Sequence, residues 1–347
     1  MTHPFRGDLL PMAVGSLPHT NPIVACDLIR QYLPQIPSWP QLPKRTFFEN
    51  MYVQYSEGFP GIVVSRQGER IYVDRERDLY PELEQLYASY LENNLDAGAL
   101  SSGYAAGLAH FLTLEFDSAC AVKGQISGPV SWGLTVTDQD RRPLLYDEVL
   151  ADAIAKHLRL KAAWQERELR RLAPHTIIVV DEPYLASFGS AYVPIERDQV
   201  VMLLEEVFAG IQGLKGIHCC GNTDWSVVLS TSVDILNFDA YKYAESLSLY
   251  PDAVRGFLER GGIIAWGILP VDDEACLMTE DVASLTRKLE GAIQLVASRG
   301  VPLDALLTSA LITPSCGMRT LSERGAERAL ILLTEVSQRM RQKYLQL

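Results

Sequence analysis

The chain has 347 residues, of which 48% are hydrophobic and 21% are charged, a composition typical of a globular protein with one large core. Its formal net charge of −12 argues against a nucleic-acid partner held through phosphate contacts. No apolar run approaches the roughly 18 residues of a membrane span, and the first residues do not follow a signal-peptide pattern, so we expect no membrane association.

Short apolar runs typical of strands alternate with longer amphipathic segments. We predict strands at residues 11–16, 46–50, 121–128, 176–183, 214–220, 234–240, 262–270 and 306–317. Helices are predicted at residues 146–173, 197–211, 250–261, 279–300 and 327–345.

Near-continuous apolar strands that alternate with helices indicate a parallel sheet. Eight such strands in this length favour a (β/α)8 TIM barrel over an open doubly wound sheet, and we expect residues 1–347 to form one domain. Residues 51–118 fall outside the alternation. They are predicted to be a helical insertion near the N-terminal third that packs over one mouth of the barrel.

Polar residues follow the predicted strands at the end where a barrel carries its catalytic groups. Six strands contribute to this set, which comprises Gly15, Ser16, Glu49, Asp181, His218, Cys220, Asp239 and Cys316. Because a random scatter would not gather polar residues at one end of six strands, we expect them to form one site.

The segment GIHCCGNTD, residues 216–224, contains adjacent cysteines behind a histidine. In an extended strand, side chains alternate between the two faces. His218 and Cys220 then share one face, and Cys219 points to the other. The useful pattern is therefore H-x-C, a pair of metal ligands on one face.

An imidazole and two thiolates suit a catalytic Zn²⁺ site, which keeps one position open. Cys316 would supply the second sulfur, and Asp239 is the candidate oxygen ligand, with Glu245 as a substitute. The six cysteines are too sparse for a disulfide scaffold, so we expect free thiols in a reducing cytoplasm. The remaining four are expected to be small core residues, namely Cys26, Cys120, Cys219 and Cys276.

These residues resemble the zinc set of the cobalamin-independent methionine synthase family, one of the uroporphyrinogen decarboxylase-like barrels. VGSLP, KGQISGP and VVDEPYL are similar to three further motifs of that family. The resemblance runs in order through residues 11–320 and covers only the catalytic C-terminal half of the full-length synthases. It therefore indicates the short core form.

The resemblance implies a zinc-dependent methyltransferase that makes methionine by methylating the thiol of homocysteine. It also implies that the amino acid end of homocysteine is bound by Gly15, Ser16, Glu49 and Asp181. Asp239 lies three residues earlier than the glutamate ligand of the family, which leaves the fourth ligand open between Asp239 and Glu245.

The methyl donor is expected to differ from that of the folate-using synthases. Those enzymes carry a histidine after strand seven that helps to protonate the leaving folate nitrogen, whereas residues 262–274 contain none. A corrinoid leaving group needs no such acid. The departure therefore indicates methylcobalamin or another methylcorrinoid, with a corrinoid protein as a possible partner.

Three other functions stay open at this point. A different thiol such as coenzyme M would need an arginine for its sulfonate, and only Arg319 lies close in sequence to a predicted ligand. A porphyrinogen decarboxylase would need clustered arginines where this site is acidic. A structural zinc site would draw its ligands from closely spaced pairs, whereas Cys316 lies far along the chain from Cys220.

Overall fold

The computed structural model describes residues 5–190 and 193–347. Within these ranges the strands are β1 (Leu10–Pro11), β2 (Ile62–Ser65), β3 (Arg70–Val73), β4 (Ala121–Ser127), β5 (Thr137–Asp138), β6 (His175–Asp181), β7 (Leu214–Cys219), β8 (Ile235–Phe238), β9 (Ile263–Leu269) and β10 (Ala310–Pro314).

The α-helices of the same ranges are α1 (Pro22–Tyr32), α2 (Met51–Gln54), α3 (Tyr80–Leu91), α4 (Ala106–Phe111), α5 (Pro129–Thr135), α6 (Glu148–Leu169), α7 (Arg197–Phe208), α8 (Trp225–Leu229), α9 (Ala240–Leu247), α10 (Pro251–Glu259), α11 (Glu274–Thr279), α12 (Val282–Ala297), α13 (Leu303–Thr308) and α14 (Glu323–Tyr344). Short 3₁₀ turns occur at Phe47–Glu49, Leu95–Gly98, Leu144–Tyr146 and Pro183–Ser187.

Side-chain caps fix where several of the predicted helices begin. The Asp147 carboxylate accepts hydrogen bonds from two backbone amides at the start of α6. A capping box between Asp281 and Ser284 starts α12, and the Ser322 hydroxyl caps α14. Each cap satisfies amides that have no partner inside the helix.

Seven strands form one parallel sheet in the order β1-β10-β9-β8-β7-β6-β4. Alternate residues of β6 face opposite sides of it. Ile177 and Val179 pack in the barrel interior, whereas Ile178 and Val180 pack in the larger core beneath the helices. The curled parallel sheet with helices outside confirms the predicted TIM barrel.

The strand predicted at residues 46–50 is wrong, because this segment forms the 3₁₀ turn Phe47–Glu49. Its place between β1 and β4 is taken by residues 35–41, which precede it in the chain. The final predicted strand also begins too early, since residues 306–308 are the end of helix α13.

Isolated bridges close the barrel at residues 35–41. The Trp39 amide donates to the Lys123 carbonyl at 3.2 Å, and the Gln41 amide donates to the Gly15 carbonyl at 3.2 Å. The prolines of this QIPSWPQLP run lack the amide that a continuous ladder requires. Residues 35–41 therefore occupy a strand position in the barrel although their sequence does not have a strand pattern.

Residues 51–118 contain helices α2, α3 and α4 and an antiparallel hairpin of β2 and β3, so the segment is not helical throughout. Strand β3 also pairs with β5 to form a second, three-stranded sheet. The role of the segment as an insertion over the barrel mouth stays a prediction. In the described part of the chain, every helix is too short or too polar to cross a bilayer.

Candidate metal centre

A cleft of about 240 Å³ opens at the carboxyl ends of the barrel strands. Its lining includes most of the polar residues that the sequence places at strand ends, namely Ser16, Glu49, Asp181, His218, Cys220 and Cys316. The structure therefore brings these six predicted residues to one place.

The register of β7 decides which of its cysteines faces the cleft. His218 and Cys220 line the cleft, while Cys219 is buried in the core between the sheet and the helices. His218 is paired with Asp181 of β6 and with Asn237 of β8, so its backbone is fixed on both sides. The side-chain alternation expected for H-x-C is present.

His218, Cys220 and Cys316 each offer one ligand atom, and these atoms lie within 4.8 Å of one another. Ligands of a tetrahedral zinc lie about 3.8 Å apart when Zn–S is ~2.3 Å, so small side-chain adjustments would suffice. Both ring nitrogens of His218 are buried and lack a hydrogen-bond partner among the described residues. One nitrogen and two sulfurs are a borderline-soft donor set that fits Zn²⁺.

The two thiols of this cluster differ in acidity. The adjacent Cys316 thiol and the adjacent His218 imidazole hold the pKa of Cys220 well below its usual range. The same pairing, together with burial, raises the pKa of the Cys316 thiol. Cys220 therefore favours the thiolate, which is the form that binds a metal.

The structure does not bring the predicted oxygen ligands into this cluster. The Asp239 carboxylate caps α9 by accepting from the Lys242 amide at 2.9 Å, and burial raises the pKa of Asp239 to about 6. Glu245 is exposed on the same helix. A fourth protein ligand at Asp239 or Glu245 stays a prediction that the ligand geometry does not favour.

Ser16 is held at the cleft by a close approach of two chain segments. A Cβ on Gly317 would lie 2.1 Å from the Ser16 hydroxyl, so glycine is required for this contact. The Met318 amide donates to the Ser16 carbonyl at 2.9 Å. Gly15 has φ of +152°, and a Cβ there would lie 2.8 Å from Gln125. Two glycines thus position the hydroxyl beside Cys316.

Each of the two carboxylates in the cleft leaves one buried oxygen without a hydrogen-bond partner among the described residues. These atoms are Oδ1 of Asp181 and Oε2 of Glu49. The other oxygen of Glu49 pairs with Arg45 at 2.7 Å. Burial raises the pKa of Glu49, and the charge of Arg45 opposes this shift. The two free oxygens can accept hydrogen bonds from a cationic ligand.

Comparison of structures identifies similar folds. A B12-independent methionine synthase from Shewanella sp. W3-18-1, solved in complex with selenomethionine, is 18% identical with a TM-score of 0.60. The alignment covers 98% of this chain and 100% of that one. The chain shares the fold of that enzyme. The resemblance inferred from the motifs is thereby confirmed for the fold.

A methyltransferase from Methanosarcina mazei is also similar in fold to this chain, at 12% identity and a TM-score of 0.50. That alignment covers 91% of this chain and 86% of the methyltransferase. No protein-family model matches the sequence, and no curated protein matches it either.

Within the methionine synthase fold, sequence reasoning missed Lys123. This lysine is fully buried, and its ammonium donates to the Val14 carbonyl and, at 2.8 Å, to the Gln125 side chain. Burial lowers the pKa of Lys123 and raises the pKa of Asp181, and the opposite charges of the two groups counter both shifts. The sequence signal that could have identified Lys123 is a single lysine within an otherwise uncharged strand.

Glu182 braces the site instead of lining it. Its carboxylate accepts from the Val130 amide at 2.9 Å, and from the Ser131 amide at 2.8 Å and hydroxyl at 2.5 Å. A Cβ on Gly128 would lie 2.2 Å from this carboxyl group.

Proposed function

We propose that the protein is a zinc-dependent methyltransferase that methylates the thiol of homocysteine to form methionine. The observation that carries this proposal is the convergence of three candidate metal ligands in one cleft. The same cleft contains two unpartnered carboxylate oxygens. A site for an amino acid thiol needs a metal to bind the sulfur and acceptors to bind the ammonium group, and this cleft offers candidates for both.

His218, Cys220 and Cys316 would hold the zinc ion. When bound, zinc lowers the pKa of a coordinating thiol so that the thiol is deprotonated at neutral pH. Cys220 directly follows β7 and Cys316 lies in the turn after β10, so the cluster depends on the folded barrel. This arrangement suits an open catalytic site better than a closed structural one.

Asp181 and Glu49 would bind the substrate ammonium, because each offers a buried oxygen that lacks a partner. Ser16 would donate its hydroxyl to the substrate carboxylate. The selenomethionine bound to the Shewanella enzyme is an analogue of the methylated product, which supports the same substrate class here.

We propose a methylcorrinoid donor, either methylcobalamin or a corrinoid protein. The loop after β9 offers no histidine, its Asp272 pairs with Lys242, and its Asp273 caps α11. None of these groups is free to protonate a folate nitrogen. The Shewanella relative is named as B12-independent, so the donor is where this chain is proposed to differ.

A second candidate acceptor is coenzyme M. Arg319 lines the cleft and offers a cation to an anionic thiol such as this sulfonate. The free oxygens of Asp181 and Glu49 favour homocysteine instead, because coenzyme M has no ammonium group. A porphyrinogen decarboxylase would need several arginines, and Arg319 is the arginine among the described lining residues.

The test combines zinc analysis with a panel of acceptors and donors. Purified protein should contain about one zinc per chain. It should convert homocysteine to methionine, detected by mass spectrometry, with methylcobalamin and not with methyltetrahydrofolate. Robust turnover with the folate would refute the donor assignment. Methylation of coenzyme M without methylation of homocysteine would refute the acceptor assignment.

A further inference from the structure

Arg319 is a charged group of the cleft that the proposed chemistry leaves without a role. It lies three residues after Cys316, and its guanidinium forms no ion pair or hydrogen bond with the described part of the chain. Most other arginines that line clefts of this protein are paired. Arg159 pairs with Glu206, for example, and Arg77 with Glu82.

The backbone that presents Arg319 is fixed. Gly317 lies against the Ser16 hydroxyl, where no Cβ would fit. The Met318 amide donates to the Ser16 carbonyl, and the Met318 side chain is buried. Arg319 therefore extends from a rigid turn that also carries Cys316 and holds Ser16.

The charges of the cleft are complementary to a zwitterion. Asp181 and Glu49 offer acceptors for a cation, and Arg319 offers donors for an anion. A guanidinium can bind a carboxylate through two parallel hydrogen bonds, which gives direction as well as charge. The Ser16 hydroxyl lines the same cleft and can also donate to an anionic group bound there.

We infer that Arg319 binds the anionic group of the thiol substrate and makes the site selective for anionic thiols, of which an α-amino acid is the proposed one. This inference rests on the proposed function, because it assigns one end of the same substrate. It adds a specificity-determining residue to the cleft and distinguishes the carboxylate from the ammonium as separate recognition elements.

The test is calorimetric binding to the zinc-loaded enzyme, which needs no methyl donor. Four thioethers separate the two recognition elements: methionine, 4-(methylthio)butanoate without the ammonium, 3-(methylthio)propylamine without the carboxylate, and 2-(methylthio)ethanesulfonate. The variants are Arg319→Gln and Arg319→Lys. Arg324→Gln, an exposed arginine on α14, is the matched control.

Arg319→Gln should weaken binding of the two carboxylate ligands about tenfold and leave the amine unchanged. Arg319→Lys should restore part of the loss, and Arg324→Gln should bind like the wild type. Equal weakening of all four ligands, or no weakening of methionine, would overturn the inference.

The same data distinguish failure of this inference from failure of the proposed function. If wild type binds methionine and Arg319→Gln binds it equally well, the inference fails and the proposed substrate stands. If wild type binds the sulfonate but not methionine, and Arg319→Gln loses the sulfonate, homocysteine fails as the substrate while the role of Arg319 stands.

Discussion

Replacing each of the adjacent cysteines by alanine tests the metal centre most directly. Cys219→Ala and Cys220→Ala remove the same atom from neighbouring positions of one strand. Cys220 lies within 4.8 Å of the other two ligand atoms, whereas Cys219 is buried in the core on the opposite face. The pair therefore separates loss of a ligand from loss of packing.

The two variants should affect different properties: Cys220→Ala should lower zinc affinity, and Cys219→Ala should lower stability. A structural zinc site contributes ~10–16 kcal/mol of binding free energy, so an equal share for each of the three protein ligands is about 3–5 kcal/mol, or roughly 10²–10⁴-fold in Kd. Cys220→Ala should show this loss of zinc affinity and lose activity. Cys219→Ala should retain zinc and lower the free energy of unfolding by about 1 kcal/mol, because a small buried volume is lost.

Zinc affinity is measured by competition with a chromophoric chelator, and stability by urea denaturation of the same preparations. Retention of full zinc affinity by Cys220→Ala would refute the assignment of that sulfur as a ligand. Loss of zinc from Cys219→Ala at unchanged stability would refute the strand register.

Three further substitutions test the surroundings of the site. Gly317→Ala would place a Cβ 2.1 Å from the Ser16 hydroxyl, so it should raise KM for homocysteine and destabilise the fold by about 1–3 kcal/mol. Steady-state kinetics measure the KM, and thermal denaturation measures the stability. An unchanged KM would count against Ser16 as a substrate contact. Glu182→Ala removes the acceptor of three buried hydrogen bonds and should destabilise the fold by about 3 kcal/mol in urea titrations, so wild-type stability would exclude a bracing role. Burial lowers the pKa of Lys161 from 10.5 to about 8, so Lys161→Met should be more stable than wild type at pH 7 by up to about 3 kcal/mol. That advantage should disappear as pH rises from 8 to 10.5, because folded Lys161 loses its proton above pH 8 while the unfolded chain keeps it up to about pH 10.5, so the wild type gains stability across this range. An advantage independent of pH in urea titrations would contradict this reasoning.

The parallel barrel was predictable because its strands are apolar on both faces and alternate with capped helices. The segment that closes the barrel was not, since the prolines of residues 35–41 remove the amides and the pattern by which a strand is recognised. Its pairing depends on contacts with β1 and β4, which are distant in sequence.

The residues of the site also fall into those that the sequence could predict and those that it could not. His218 and Cys220 were predictable because alternation along one strand is a local property. Asp239 has two local interpretations, a ligand after a strand or a cap before a helix, and its carboxylate caps α9. The sequence places Arg319 close to Cys316, but its position in the cleft depends on the contact between Gly317 and Ser16, which only the folded structure shows.

The motifs on which the resemblance rests also have a structural role, because their residues hold neighbouring strand ends together. KGQISGP contains Gly128, which lies against Glu182 of VVDEPYL, and the Glu182 amide donates to the His218 carbonyl at 2.8 Å. Glu182 thus ties together the ends of β4, β6 and β7. Because these contacts hold the strand ends in place in this chain, these motif residues indicate the scaffold more directly than the substrate. We therefore propose that discrimination between thiols depends on the lining residues Asp181 and Arg319, which the panel of thioether ligands tests.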